Sequence, residues 1–371
     1  MLNRKKSCFG LVWVVFTLIV SVVFVVVVGG FVRRARNYYL TFLKVADTTT
    51  SQLLTKLDLA WQVSQQWRHS LDSDQAFVYL ILGTDILDYR PEDQINTDTM
   101  MLVSLHPLTN QATLLSLPRD IYLPDKKIKI NALYDLALKS GSAYPERDTA
   151  AYLSQWLGIS IDGSFVFTLA QVQELIDLLD GVEIEVRRGF TDELYPRSGV
   201  DVATVHDPAL LYETIVFEPG KQLMNAETAL KFMRSRHAVG VEGSDLARAA
   251  RQQQVIEAFV QRLINRVFDQ KTLFNYVLLG EFYRYYVQHY ERYLPLERVL
   301  ALVMITQLTD AGVGSLPQFK QEVLSVYPAD PNGVLEEPTP AEMQRDYAGA
   351  WVWRIRDLVA LKREVKADLD L

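Results

Sequence analysis

Three short motifs put acids and an arginine at the ends of apolar runs. Asp85 closes Gly83-Thr84-Asp85 behind FVYLIL (77–82), and Asp98 stands in Asn96-Thr97-Asp98-Thr99 ahead of MMLVSL (100–105). Arg119 follows TLLSL (113–117) in Leu117-Pro118-Arg119-Asp120. Runs of this length read as strands, and His106-Pro107-Leu108-Thr109-Asn110 has the composition of a turn. In an antiparallel meander, the end of the first strand, the start of the second and the end of the third share one sheet edge. Asp85, Asp98 and Arg119 would converge there, and two carboxylates with one guanidinium suit a hard cation together with a phosphate. The plainer alternative is that they cap strands or form surface ion pairs.

A second constellation lies on a long helix that starts at Ser244/Asp245 and runs to about Phe268. Its apolar stripe is Val255, Phe259, Leu263 and Val267. Continued backwards in steps of three and four, the stripe reaches Gln252 and Arg248. An inward arginine needs an anion, and a helix N-terminus adds partial positive charge. Arg234-Ser235-Arg236 lies just upstream, so the pattern reads as an anion site, the alternative being a cluster of solvated charges that includes the companion Arg251. There is no Gly-x-x-x-x-Gly-Lys-Ser/Thr and no Gly-x-Gly-x-x-Gly, which excludes those nucleotide loops. The five histidines pair with no nucleophile motif; His106 and His237 are expected to be structural or solvated. The aromatic run 282–293 reads as the core and rim of a helix.

The elements that must position these groups follow from pattern and composition. The chain has 371 residues, 49% apolar, 22% charged and 11% aromatic, enough for two domains or one large one with appendages. Its only cysteine, Cys8, excludes an intrachain disulfide and, with no Cys-x-x-Cys, a structural zinc site of the usual kind. The net charge of −7 is uneven: residues 1–50 hold seven Lys/Arg and one Asp, leaving −13 on the rest. So acidic a body excludes general nucleic-acid binding. Residues 8–32 carry no charged side chain and read as an uncleaved transmembrane helix rather than a signal peptide. Arg4, Lys5 and Lys6 on one side and Arg33, Arg34 and Arg36 on the other leave its orientation a tie.

The expected organisation is a tail (1–8), an anchor (9–32), a helical stalk (33–74) with apolar positions at Leu53, Leu54, Leu57, Leu59 and Trp61, an α/β body (75–330), and a linker with a C-terminal helix (331–371). Within the body, helices are predicted over 132–140, 148–157, 169–179, 225–233 and 272–305. Further strands are predicted at 165–167 and 182–186.

Seven segments in order, ILGTD (81–85), NTDTMMLVSL (96–105), LLSLPRDIYL (114–123), KINALY (129–134), DGVEIEV (180–186), PGKQLMNAETALKFMRSRH (219–237) and SDLARAARQQQVI (244–256), resemble the LytR–CpsA–Psr family, whose members attach glycopolymers such as teichoic acids to the cell wall. The likeness covers about residues 75–270 and runs more loosely to about 330. It implies a single-pass protein of the cell membrane with a cytoplasmic N-terminus and an extracytoplasmic catalytic domain. The implied fold is a central mixed β-sheet flanked by helices, with a greasy tunnel for a polyprenyl chain.

By motif match, Asp85 and Asp98 correspond to the acids associated with Mg²⁺ (or Mn²⁺). Arg119 matches the arginine most closely tied to catalysis, with Asp98 beside it. Arg234, Arg236, Arg248 and Gln252 match the pyrophosphate-contacting set, and Lys129 a charged position of the Lys-Ile-Asn motif. The implied reaction moves a phosphoglycan from a polyprenyl-pyrophosphate carrier to a peptidoglycan hydroxyl. A polyprenyl-pyrophosphate hydrolase and a non-catalytic lipid-binding or regulatory membrane protein stay open. One departure favours the last: Asn96 stands where the family usually has arginine, with Arg90 as a candidate replacement.

Overall fold

The structure, a computed structural model, describes residues 33–70, 75–84, 95–197, 200, 205, 207–267, 275–307 and 317–371. The expected anchor, Asp85 and Arg90 lie outside these residues. Among the described residues no helix is long and apolar enough to cross a membrane.

Helices α1 (33–45) and α2 (Thr50–Ser70) precede strands β1 (Phe77–Thr84), β2 (Thr97–His106) and β3 (Gln111–Ser116). A short hairpin, β4 (Tyr122–Leu123) and β5 (Ile128–Lys129), leads to α3 (Leu133–Lys139), α4 (Pro145–Leu157), β6 (Gly163–Thr168) and α5 (Leu169–Leu178). Next come β7 (Val182–Val186), β8 (Phe190–Pro196), α6 (Pro208–Leu211), β9 (Tyr212–Phe217), β10 (Gly220–Met224), α7 (Ala226–Arg234) and α8 (Asp245–Val267). The chain continues through α9 (Tyr276–His289), α10 (Leu296–Gln307), β11 (Gln318–Val323), β12 (Val326–Tyr327), β13 (Leu335–Glu336), α11 (Pro340–Asp346), β14 (Arg354–Ile355) and α12 (Leu358–Asp368).

The central sheet has the order β11-β3-β2-β1-β6. β1, β2 and β3 form the expected antiparallel meander, whereas β6 runs parallel to β1 and β11 parallel to β3. Successive side chains of a strand face opposite ways, and both faces are covered here. Leu80, Leu82, Leu102 and Leu115 enter the main core with α3, α4 and α12, while Met101, Val103 and Leu114 pack under Ile256 of α8. Burial on two sides explains why these strands read as unbroken apolar runs. Thr84 lies opposite Thr97 and Met101 opposite Ser116, so the three motif-bearing ends do share an edge. Gly83 permits this closeness: a Cβ there would meet that of Thr99 at 2.9 Å.

A second core gathers α5, α7, α8 and the hairpins beside them around Ile176, Ile184, Phe190, Phe217, Phe232 and Val255. Thr168 and Gln171 close a capping box at the start of α5, and Asn225 Oδ1 accepts from Thr228 N to cap α7. Gly181 (φ +91°) turns the chain between α5 and β7, where a Cβ would lie 2.6 Å from the carbonyl oxygen of Met224.

The structure departs from expectation in three places. Residues 272–305 were expected as one helical stretch, but α9 and α10 are separate; Pro295, which has no N–H to donate and disfavours a helical residue before it, lies between them. The stalk is not free-standing: α2 packs on α10 through Ala60 and Ser64, and Lys56 bridges Glu291 and Glu297, the latter at 2.9 Å. Leu54, Leu59 and Trp61 of the expected stripe face solvent instead.

Residues 331–371 are not a linker and one helix. Thr339 and Glu342 cap a short α11 that starts at Pro340, Gly349 (φ +78°) follows it, and Asp357 caps α12. Leu361, Val365 and Leu369 are fully buried in the main core. Trp353 N donates to Asp120 O at 2.8 Å and accepts through its own carbonyl from Tyr122 N at 3.0 Å, which braces the loop carrying Arg119.

Candidate active site

Where the shared sheet edge meets α5, α7 and α8, a cavity of about 330 Å³ opens. Most of its wall is apolar, built by Ile81, Phe167, Val172, Ile176, Val255 and Phe259. Asp98, Thr99, Arg234, Arg236, Arg248 and Gln252 also line it. The expected combination of an apolar hole and gathered guanidinium groups is therefore present. A recess of about 20 Å³ beside it is lined by Arg119 together with Asp98, Arg248 and Gln252.

Arg119 sits between two acids. Its Nη1 donates to Asp98 Oδ1 at 2.5 Å and its Nε to Asp120 Oδ2 at 3.2 Å. Burial works against the charged guanidinium, but Asp98 and Asp120 outweigh it and hold the pKa above the ordinary value. Arg248 is in the opposite position. It is 6% exposed, and burial pushes its pKa down to about 10, with Arg236 and Arg119 adding repulsion. Asp245 opposes this at 3.0 Å from Arg248 Nη2, and the same oxygen lies 3.6 Å from Arg236 Nη2. Arg234 Nη1 lies 3.5 Å from Tyr195 Oη. Around the cavity and its side recess, four arginines and Lys129 thus meet three acids, Asp98, Asp120 and Asp245, an excess of positive charge that an anion would balance.

Residues 38–280 match the LytR_cpsA_psr family. The chain belongs to the LytR–CpsA–Psr family. The polyisoprenyl-teichoic acid–peptidoglycan teichoic acid transferase TagU of Enterococcus faecalis is 27% identical over 206 residues, which is 54% of this chain and 58% of that protein. The chain spans about half the length of the curated relatives it matches. The crystal structure of Bacillus subtilis TagV aligns over 81% of this chain and 99% of its own, with a TM-score of 0.50 and 21% identity. A Streptococcus agalactiae protein of known structure aligns over 81% of this chain and 90% of its own, with a TM-score of 0.52 and 19% identity. Both share this chain's fold, a central mixed sheet flanked by helices.

The structure brings together Asp98, Arg119, Arg234, Arg236, Arg248 and Gln252 of the LytR–CpsA–Psr motifs. Lys129 stands one step back: its Nζ donates to Asp120 Oδ1 at 2.6 Å, so it reaches Arg119 through a carboxylate. Asp85 lies outside the described residues. Asn96 Oδ1 is buried with no hydrogen-bond partner among the described residues. His106 is structural, as expected, with Nε2 3.0 Å from Ser104 Oγ and 3.2 Å from Leu369 O.

His237 is exposed, in keeping with the expectation that it is structural or solvated, and it also lines the cavity. One expectation needs correction. Arg251 is not solvated: it is 3% exposed, and its guanidinium lies over the Phe190 ring at 4.6 Å, because the β8–β9 hairpin and the loop after α7 cover that side of α8. Three buried polar residues had not been singled out. Asp120 joins Arg119 to Lys129, Asp192 lies behind the Arg234–Arg236 segment, and Gln253 Nε2 donates to Leu114 O, Ser116 Oγ and Glu322 O. Only Asp120 was readable from a motif, as the residue after Arg119.

Proposed function

We propose that this protein transfers a phosphoglycan from a polyprenyl-pyrophosphate carrier to a hydroxyl of peptidoglycan. The observation that carries the reading is one continuous cavity whose wall is apolar among Phe167, Val172, Ile176 and Phe259 and cationic among Arg234, Arg236 and Arg248. A ligand fitting both parts is a long hydrocarbon ending in a multiply charged anion. The transferase name carried by the TagU relative agrees with it. Residues 9–32 would anchor the chain in the cell membrane, with the N-terminus cytoplasmic and the body outside.

In this mechanism the isoprenoid lies along the apolar wall and Arg234, Arg236 and Arg248 hold the pyrophosphate. The acceptor hydroxyl attacks the phosphorus nearer the sugar. A new phosphorus–oxygen bond forms, the bond to the bridging oxygen breaks, and polyprenyl phosphate leaves. Such chemistry is mainly positioning and charge stabilisation, so arginines without a strong nucleophile suffice. Arg119 meets the charge that develops beside Asp98. Asp98 Oδ1 is held by Arg119, and the same carboxylate lines the cavity as the candidate acceptor for the hydroxyl proton.

Mg²⁺ or Mn²⁺ belongs to the same proposal. Among the described residues no group of three or more His, Cys, Asp or Glu gathers. Asp98 lines the cavity, where it would offer one carboxylate to a hard cation held by one or two carboxylates plus substrate phosphates, with Asp85 as the expected second acid. When bound, the ion would neutralise pyrophosphate charge.

The test is to incubate the full chain with a polyprenyl-pyrophosphate-linked glycan, with and without peptidoglycan fragments. Phosphoglycan on the fragments, lost in Arg119→Ala, is expected. Phosphate released to water and never found on the acceptor would favour hydrolysis, and unreacted lipid in every arm a non-catalytic binder.

A further inference from the structure

Arg234 ends α7, and Arg236 follows after one extended residue, Ser235, with φ −53° and ψ 135°. Alternate side chains of an extended chain point opposite ways. Both arginines line the cavity, so Ser235 points into the protein, where it is fully buried. There it meets Asp192, which is 0% exposed. Asp192 Oδ2 accepts from Ser235 Oγ at 2.7 Å and from the backbone N–H groups of Arg236 and His237, both at 3.1 Å; Oδ1 accepts from Leu194 N at 3.0 Å.

Arg251 holds the carbonyl side of the same segment. Its Nε donates to Phe232 O at 2.9 Å and its Nη2 to Ser235 O at 2.7 Å, while Glu242 takes its Nη1. The hairpin that supplies Asp192 is irregular: the β8–β9 register shifts between Asp192 and Tyr195. In a regular strand, residues three apart face opposite sides. The irregularity turns both inward, so Asp192 holds the backbone of Arg236 while Tyr195 Oη lies beside the head of Arg234.

Two buried charges are a costly way to shape one loop, because taking a charge out of water costs several kcal/mol even after relaxation. Burial alone would raise the Asp192 carboxyl, but its hydrogen bonds from Ser235, His237, Leu194 and Arg236 hold it below the ordinary value. The geometry suggests what this arrangement does. Arg234 and Arg236, on either side of Ser235, both line the cavity, so holding the backbone between them fixes where their guanidinium groups stand toward a pair of linked phosphates rather than a single one.

We propose that Asp192 and Arg251 are positioning residues that fix the separation of Arg234 and Arg236 and thereby make the site prefer a pyrophosphate lipid to a monophosphate lipid. The proposal rests on the transferase reading, in which the first is substrate and the second is the product to be released.

The test measures the affinities of the full chain in detergent for polyprenyl pyrophosphate and polyprenyl phosphate. Asp192→Asn keeps the shape but removes acceptor capacity. Ser235→Ala removes one hydrogen bond and guards against an Asp192 variant that fails to fold. Each is expected to lower the pyrophosphate-to-monophosphate preference about tenfold, with unfolding still cooperative. Asp192→Asn should be non-additive with Arg236→Lys and additive with Arg119→Lys. Equal weakening toward both lipids, or an unchanged preference, would mark the pair as merely structural and overturn the clamp alone. Failure of the unaltered chain to bind the pyrophosphate lipid overturns the transferase reading and the clamp with it.

Discussion

Arg248→Met should make the lipid-free protein more stable while removing its affinity for the lipid. Arg248 is almost fully buried, and burial pushes its pKa well below the ordinary value, to about 10. A guanidinium keeps its charge at neutral pH, so the depression is a standing cost of folding. At about 1.4 kcal/mol per pKa unit it comes to roughly 3 kcal/mol. Methionine keeps much of the packing of the arginine stem without the charge. Loss of the ion pair with Asp245 and imperfect packing take back part of the gain. The net is expected at about 1–2 kcal/mol, a rise of a few degrees in melting temperature for a protein of this size. The sign has a second signature. The unfolded chain holds the Arg248 proton more tightly than the folded one, so its contribution to lipid-free stability improves as pH climbs above about 10. Denaturant unfolding of both proteins at pH 7.5, with and without polyprenyl pyrophosphate, reads both effects. An Arg248→Met protein that is less stable without lipid, yet gains as much from lipid as the unaltered chain, would refute the reasoning.

Other expectations concern separate parts of the molecule. Arg119→Ala should cut transfer by about 100-fold or more while lipid still binds, because Arg119 lines the side recess rather than the main cavity; loss of both together would place it in substrate binding. Gln253→Ala strands three acceptors at the junction of α8, β3 and β11 and should cost about 2–3 kcal/mol in unfolding experiments; a change within error would mean that water replaces the amide. Asp368 is raised to about 6 by burial, with Glu322 and Glu364 adding to it. The folded chain therefore keeps a proton that the unfolded chain loses from about pH 4, and stability should fall as pH rises from about 4 to 6. Asp368→Asn should flatten that slope in melting curves, and an unaltered slope would assign it to another group.

What could be read beforehand depended on periodicity. β1, β2 and β3 are buried on both faces, so their apolar runs announced them, and their shared edge followed from the meander. Arg248 and Gln252 were legible because they continue a helical stripe whose first apolar members, Val255 and Phe259, line the same cavity. Arg251 was not, because its burial comes from a hairpin and a loop remote in sequence folding over α8. Asp192 was hidden for a related reason: a shift of register, which strand alternation does not foretell, turns it and Tyr195 to the same side. The C-terminal region is built from two-residue strands and short helices, too brief to show a period. The stalk misled in part: its packed face joins Leu53, Leu57 and Trp67 with Lys56, Ala60 and Ser64, while Leu54, Leu59 and Trp61 point outward.

The central claim is that one ligand occupies the apolar and the cationic parts of the cavity together. Competition binding to the full chain tests it most directly, with polyprenyl pyrophosphate, polyprenyl phosphate and inorganic pyrophosphate in separate titrations. The lipid pyrophosphate should bind far more tightly than either partial ligand, and its advantage should shrink both in Phe259→Asp and in Arg236→Ala. If inorganic pyrophosphate binds as well as the lipid, or if only one of these substitutions matters, the cavity does not hold such a ligand.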